Sequence, residues 1–239
     1  MIAPGRAFDE YALKARVFPA ALIAAPVATL LFFTGTQDFA WAASGVMFFA
    51  VTTLSSQLLL HRGRLTEQRL ITKWGALPTT LALKTTAMGS KKLLLRRRAD
   101  VERVSGMALP SARREREHES DALDEYTAAV GLCIDRVRSG EPGSRLLFNE
   151  NIAYGFRRNL RAGRKIGLIV SFAALAASVA LTIAGGEAYP AAAAVLLNAV
   201  AVLVWVFGVH DEFVRDQADK YADRFFRALE GVEPTGARP

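Results

Sequence analysis

Four stretches of this chain contain no charged residue: Val17–Gln37, Phe39–Leu60, Ile166–Gly186 and Ala188–Val209. Each is long enough to cross roughly 30 Å of hydrocarbon as a helix rising about 1.5 Å per residue. Helices in a soluble core keep a polar face, which these runs lack. Hydrocarbon offers no partner to unpaired backbone groups, so such runs enter a bilayer as helices. The expected fold is all-α, a four-helix transmembrane protein of two hairpins, residues 17–61 and 166–209. A helical cytoplasmic domain, 62–165, is inserted between helices 2 and 3. A short arm, 1–16, precedes them, and an amphipathic tail helix, 210–239, follows.

Charge fixes the expected orientation. The insert from Arg62 to Lys165 carries 22 of the chain's 30 Lys and Arg residues against 12 acids. The loops Gly35–Asp38 and Gly185–Tyr189 carry no Lys or Arg. By the positive-inside rule the insert and both termini are expected on the cytoplasmic side. Ala40-Trp41-Ala42 resembles a signal-peptidase site, yet Asp9 and Glu10 sit in what would be the basic n-region. The preceding run also exceeds a typical h-region of about 7–15 residues, so cleavage is not expected. The single cysteine, Cys133, excludes an intrachain disulfide and argues against a thiolate zinc site.

The second run is the least uniformly apolar, with Ser44, Thr52, Thr53, Ser55, Ser56 and Gln57. Thr52 and Ser56 are four apart, as are Thr53 and Gln57, so polar groups stack along one side. Helix–helix hydrogen bonding explains any one of them at about 1 kcal/mol or less. Together they also suit a wetted pore wall, for which Thr52, Ser56 and Gln57 are the candidates. The third and fourth runs carry small-residue ladders such as Gly167/Ser171 and Ala174/Ser178/Thr182, which let backbones approach closely. Asn198 lies mid-membrane and calls for a partner, as helix-packing glue between subunits or as pore lining. His61 and His210 at the inner helix ends are interfacial residues or pH sensors.

Within the insert, Arg64–Lys73 continues the second helix, and Trp74–Thr80 breaks it with Gly75 and Pro78. Helices are expected over Leu81–Arg98, Ala112–Arg138 and Leu146–Lys165, with a turn at Gly140–Gly143. The tail Asp211–Glu230 has an apolar stripe of Val214, Ala218, Tyr221, Phe225 and Ala228, suited to the insert or to a copy of itself.

No Walker loop, GxGxxG, GxSxG, HExxH or paired cysteines occur. The acids of Glu115–Glu125 alternate with Arg113, Arg114 and Arg116 and read as a solvated helix. No catalytic residue, cofactor or metal site is expected. What remains is basic. Arg157, Arg158, Arg161, Arg164 and Lys165 crowd the entry to the third membrane helix, where anionic lipid attracts cations at about 1 kcal/mol each. Lys91, Lys92, Arg96, Arg97 and Arg98 form a second group, and Arg113, Arg114 and Arg116 a third. Distant from the membrane runs in sequence, these two suit a phosphate-bearing ligand. Trp74 or Tyr154 would offer a stacking surface for a base.

The strings Lys73-Trp74-Gly75-Ala76-Leu77-Pro78-Thr79-Thr80 and Asn151-Ile152-Ala153-Tyr154-Gly155-Phe156-Arg157-Arg158-Asn159-Leu160 resemble a widespread bacterial family. Its small four-helix membrane proteins read K-W-G-x-x-P-T-T after the second membrane helix and N-x-x-Y-G-F-R-R-N before the third. The resemblance covers roughly Arg62 to Gly167. The chain is also similar to the membrane effector of Hailong-type anti-phage systems. That resemblance implies a homo-oligomeric ion channel held shut by short single-stranded DNA made by a partner nucleotidyltransferase. On release it depolarises the infected cell. The expected function is therefore an antiviral membrane effector, favoured as a tetramer and gated through its basic domain. The rival is a non-conducting anchor whose basic domain recruits a partner protein or anionic lipid. A transporter lacks the expected inverted repeat.

Topology is directly testable. In intact cells, Thr36→Cys and Glu187→Cys are expected to react with an impermeant thiol reagent, whereas Ser120→Cys is not. Labelling at Ser120 would refute the orientation.

Overall fold

The structure, a computed structural model, describes residues 10–34, 40–138, 144–185 and 188–232. The turns expected at Gly35–Asp38 and Gly140–Gly143, residues 1–9 of the arm and residues 233–239 of the tail lie outside them. The described residues are helical and contain no strand. The chain divides into two compact units: Ile2–Gln68 with Ile152–Val214, and Arg69–Asn151 with Arg215–Pro239.

The first unit holds the apolar helices. They are α1 (Phe18–Thr34), entered through a π-helical turn at Leu13–Val17, the larger part of α2 (Ala40–Trp74), the later part of α7 (Ser144–Ile183), and α8 (Ala188–Leu203). α8 ends in a second π-helical turn, Val204–Gly208. Four spans, Glu10–Phe33, Ala42–Leu81, Arg145–Ile183 and Tyr189–Gly208, are long and apolar enough to cross a membrane. Packing is closest where glycine removes a side chain. A Cβ on Gly63 would overlap the Asn159 amide, and one on Gly167 would overlap the Trp205 indole. A Cβ on Gly163 would come within 2.7 Å of Ile23 and 3.0 Å of Leu59. These glycines let α2, α7 and the end of α8 meet around Ala20, Ile23, Leu59, Leu160, Trp205 and Val209. Ser171 and Ser178 of the small-residue ladders are fully buried, as close backbone approach requires.

The second unit contains α3 (Pro78–Leu81), α4 (Lys91–Ser105), α5 (Ala112–Glu117), α6 (Glu119–Arg138), the first turns of α7 and most of α9 (Asp211–Leu229). Gly75 takes φ +88° and ends α2, and Pro78 opens α3 at its first turn, as the breaker string predicts. Two expected helices differ. The helix predicted over Leu81–Arg98 begins only at Lys91, because residues 82–90 are turns and Gly89 sits at φ +122°. There the Thr85 amide donates to the Glu115 carboxylate instead of continuing a helix. The helix predicted over Ala112–Arg138 is two, divided at His118, whose φ −140° and ψ 68° are not helical. Val101, Val104, Ala122, Tyr126, Ala129, Cys133, Phe225 and Leu229 form the core of this unit. The tail's apolar stripe therefore packs on the insert: Ala218, Phe225 and Ala228 are buried.

The glycine contacts give a stability test. Gly167→Leu places side-chain atoms where the indole lies, and overpacking of this kind costs about 1–3 kcal/mol. Thermal unfolding of the purified protein should shift down, and more than for Gly45→Leu, whose added Cβ meets nothing within 4 Å.

Candidate functional site

The basic segment lies on α4, which begins at Lys91 with Ser90 before it and no acid in its first turn. Lys91 and Lys92 are exposed and make no ion pair or hydrogen bond among the described residues. Arg96 reaches Glu230 at 3.1 Å on an exposed surface, where such a pair contributes about 1 kcal/mol or less. Arg97 is held more firmly. It donates to Asp223 Oδ1 at 2.7 Å and lies 4.8 Å from the Phe226 ring centroid.

Arg98, expected on the ligand surface, points into the domain. Its Nη1 donates to the Leu83 carbonyl at 2.7 Å and to the Tyr126 hydroxyl at 2.8 Å, and its Nη2 to the Pro110 carbonyl at 2.5 Å. The Tyr126 hydroxyl in turn donates to Glu115 Oε2 at 2.8 Å, which also accepts from the Thr85 amide. A guanidinium, a phenol and a carboxylate thus tie α4, α5, α6 and the turn before α4 together. Glu115, read from sequence as part of a solvated helix, is 4% exposed. Burial alone would push its carboxyl up, but the Thr85 amide, the Tyr126 hydroxyl and the Lys84 ammonium outweigh it. They hold the carboxyl below the ordinary value of 4.5.

Of the third basic group, Arg113 donates to Glu117 at 2.9 Å and Arg114 bonds Glu125. Arg116 is exposed and unpaired among the described residues. Of the eight cations expected to hold a ligand, those left available among the described residues are Lys91, Lys92 and Arg116, with Arg96 loosely held. Of the proposed stacking rings, Trp74 has the Arg215 guanidinium 5.1 Å from its centroid, and Tyr154 is buried. Cys133 is fully buried, its Sγ 3.7 Å from the Val101 carbonyl, and burial pushes its thiol up to about 11. The described residues contain no His, Cys, Asp and Glu grouping able to hold a metal.

The membrane residues separate as well. Thr52 is buried against its own chain, and its hydroxyl has no partner among the described residues. Ser56 is half-buried and donates to the Thr53 carbonyl at 2.8 Å; Thr53 donates to the Phe49 carbonyl at 2.8 Å. Gln57 is exposed and makes no hydrogen bond among the described residues. Asn198 is 1% exposed, and its Nδ2 donates to Ser178 Oγ at 3.0 Å. That partner is on α7 of the same chain, and the Asn198 Oδ1 has none among the described residues.

Sequence reasoning treated the arginines before the third membrane helix as lipid contacts, but the structure gives four of them protein partners. Arg164 donates to the carbonyls of Trp205 and Val206 at 3.1 and 2.9 Å, inside the π-helical turn. Arg161 binds Asp211 at 2.8 Å. Arg157 donates to the Phe213 carbonyl at 2.8 Å, with the Phe213 ring centroid 4.4 Å away. Arg158 binds Glu67 at 2.8 Å. The spacing of Arg157, Arg161 and Arg164 places them on one helix face, a signal the sequence reading did not use, and carbonyl partners leave no mark in a sequence. Lys165 alone of that group is exposed without a partner among the described residues. His210 accepts from the Phe213 amide at 3.1 Å, capping α9, and His61 is exposed.

Compared with protein families, with curated proteins and with solved structures, the chain matches none.

The Arg98–Tyr126–Glu115 network makes a prediction with a defined sign. A depressed folded pKa means that ionised Glu115 stabilises the fold above the ordinary carboxylate value. That contribution disappears as the pH falls through the lowered one. Glu115→Gln should cost about 1–3 kcal/mol at neutral pH and flatten the acid limb of the stability curve. Urea unfolding at neutral pH and well below 4.5 checks this. Equal acid losses in wild type and variant would exclude Glu115 as the titrating group.

Proposed function

We propose that this chain is the membrane effector of a bacterial anti-phage system, an oligomeric ion channel in the inner membrane. In this reading two transmembrane hairpins flank the helical domain, which lies in the cytoplasm with both termini. A short single-stranded DNA, supplied by a partner nucleotidyltransferase, binds the domain and controls a path formed by several copies, four being favoured. The observation that carries the conducting half is Gln57. It is an exposed amide in an uncharged stretch of α2, without a partner among the described residues. Hydrocarbon is a costly neighbour for such a group, whereas a second copy or a wetted path satisfies it. The ligand half rests on Lys91 and Lys92, two adjacent exposed cations with no acid against them, beside the loosely paired Arg96.

A second reading is favoured by one observation. Met88, Leu93 and Leu95 are exposed among those same cations, a mixture suited to an anionic lipid surface. A non-conducting anchor would present such a surface to lipid or to a partner protein.

The two readings separate in one experiment. Each phosphate contact on a single strand adds about 0.7 to the log–log salt slope of binding. If Lys91, Lys92 and Arg96 each hold a phosphate, affinity for a short single-stranded DNA should fall with a slope of about 2. Replacing all three with alanine should flatten that slope without dissociating the oligomer. Gln57→Leu should lower ion flux in liposomes while DNA binding persists. Should the triple variant keep its DNA affinity and lose binding to anionic vesicles, the segment is a lipid contact.

A further inference from the structure

The exposed side of α2 is chemically divided. At about 100° per residue, Thr53, Gln57, His61 and Arg64 fall within an arc of roughly 80°. His61, Gln57 and Arg64 are exposed on that arc, and the Thr53 hydroxyl is turned to its own backbone. Next to it lies an apolar arc of Met47, Leu54, Leu58 and Leu65, all exposed. The opposite side, with Ser44, Thr52, Ser55, Leu59, Gly63 and Leu70, is buried. One helix therefore has three faces: one for its own unit, one suited to lipid, and one polar.

The sign of charge on the polar face is uniform. Arg64 makes no ion pair among the described residues, and a guanidinium stays charged in proteins. Arg62, two residues earlier, falls about 160° away around the helix and adds no charge to this face. The one acid in this part of α2, Glu67, is committed to Arg158 at 2.8 Å and lies off the arc. Beyond Thr53 and Gln57, then, the face ends in one fixed cation per copy, Arg64, and the nearest acid, Glu67, is already held by Arg158. A single copy carries only one such row. Copies arranged about an axis with these faces inward would stack Gln57 amides into a polar ring and close Arg64 into a cationic ring at one mouth.

Resting on the channel reading above, we infer that the path selects anions, with Arg64 as the residue that sets the selectivity. A ring of fixed cations concentrates anions at a pore mouth and repels cations, and nothing on this face of α2 opposes it. Thr53 and Gln57 then supply only neutral dipoles, which tolerate either sign of ion, so that the discrimination sits at the Arg64 ring.

Reversal potentials across a planar bilayer, measured on full-length protein under a KCl gradient, test this. For wild type the sign of the potential is expected to give a chloride-to-potassium permeability ratio above unity. Arg64→Gln should bring that ratio toward unity, and Arg64→Glu should take it below unity. Oligomer size and thermal unfolding should be unchanged, since Arg64 is exposed and unpaired. Current that prefers potassium in wild type, or a ratio that Arg64→Glu leaves unmoved, overturns the inference and leaves the channel reading standing. Correctly inserted wild-type protein that passes no current overturns both.

Discussion

A helix that leaves its regular register at the edge of hydrocarbon strands carbonyl groups where water is scarce. In this protein that happens at Val204–Gly208, where α8 widens into a π-helical turn. Arg164 answers it with two guanidinium N–H groups on the carbonyls of Trp205 and Val206. The arginine is itself placed by tight packing one turn away, where Gly167 admits the Trp205 indole. Neither contact works alone: without the glycine the indole is displaced, and without the guanidinium the carbonyls lack donors. Arg161 and Arg157 then extend the same row onto Asp211 and Phe213, so that one face of α7 organises the end of α8 and the start of α9.

This arrangement explains why the sequence was legible in some places and opaque in others. Four uncharged runs were readable because the bilayer imposes a length and a polarity on every residue in them. The break at Gly75 and Pro78 was readable because backbone geometry decides it locally. Arg98 and Glu115 were not readable, since their burial depends on Tyr126 arriving from α6 and the Thr85 amide from the turn before α4. Locally both residues sit in charged runs that any solvated helix would show. The arginines before the third membrane helix misled for a related reason. Positive-inside cations and structural guanidiniums have the same composition, and only the partner distinguishes them.

The membrane candidates show the same division. Spacing put Thr52 and Ser56 on one side of α2 correctly, but not which side faces the chain's own interior. Thr52 turned out to lie with Leu59 and Gly63 against the rest of the unit, while Gln57 lies on the outer surface. Asn198 donates its amide to Ser178, while its Oδ1 has no partner among the described residues.

Cys133 carries a consequence of another kind. It is fully buried, and its thiol is pushed up to about 11. While the core stays closed, only on the order of one thiol in ten thousand is the reactive thiolate at neutral pH. Burial and the raised pKa together shield Cys133 from maleimides, peroxide and disulfide exchange for as long as the fold is intact. The chain's single sulfhydryl is packing material, and spectroscopic labels can be introduced elsewhere without first removing it.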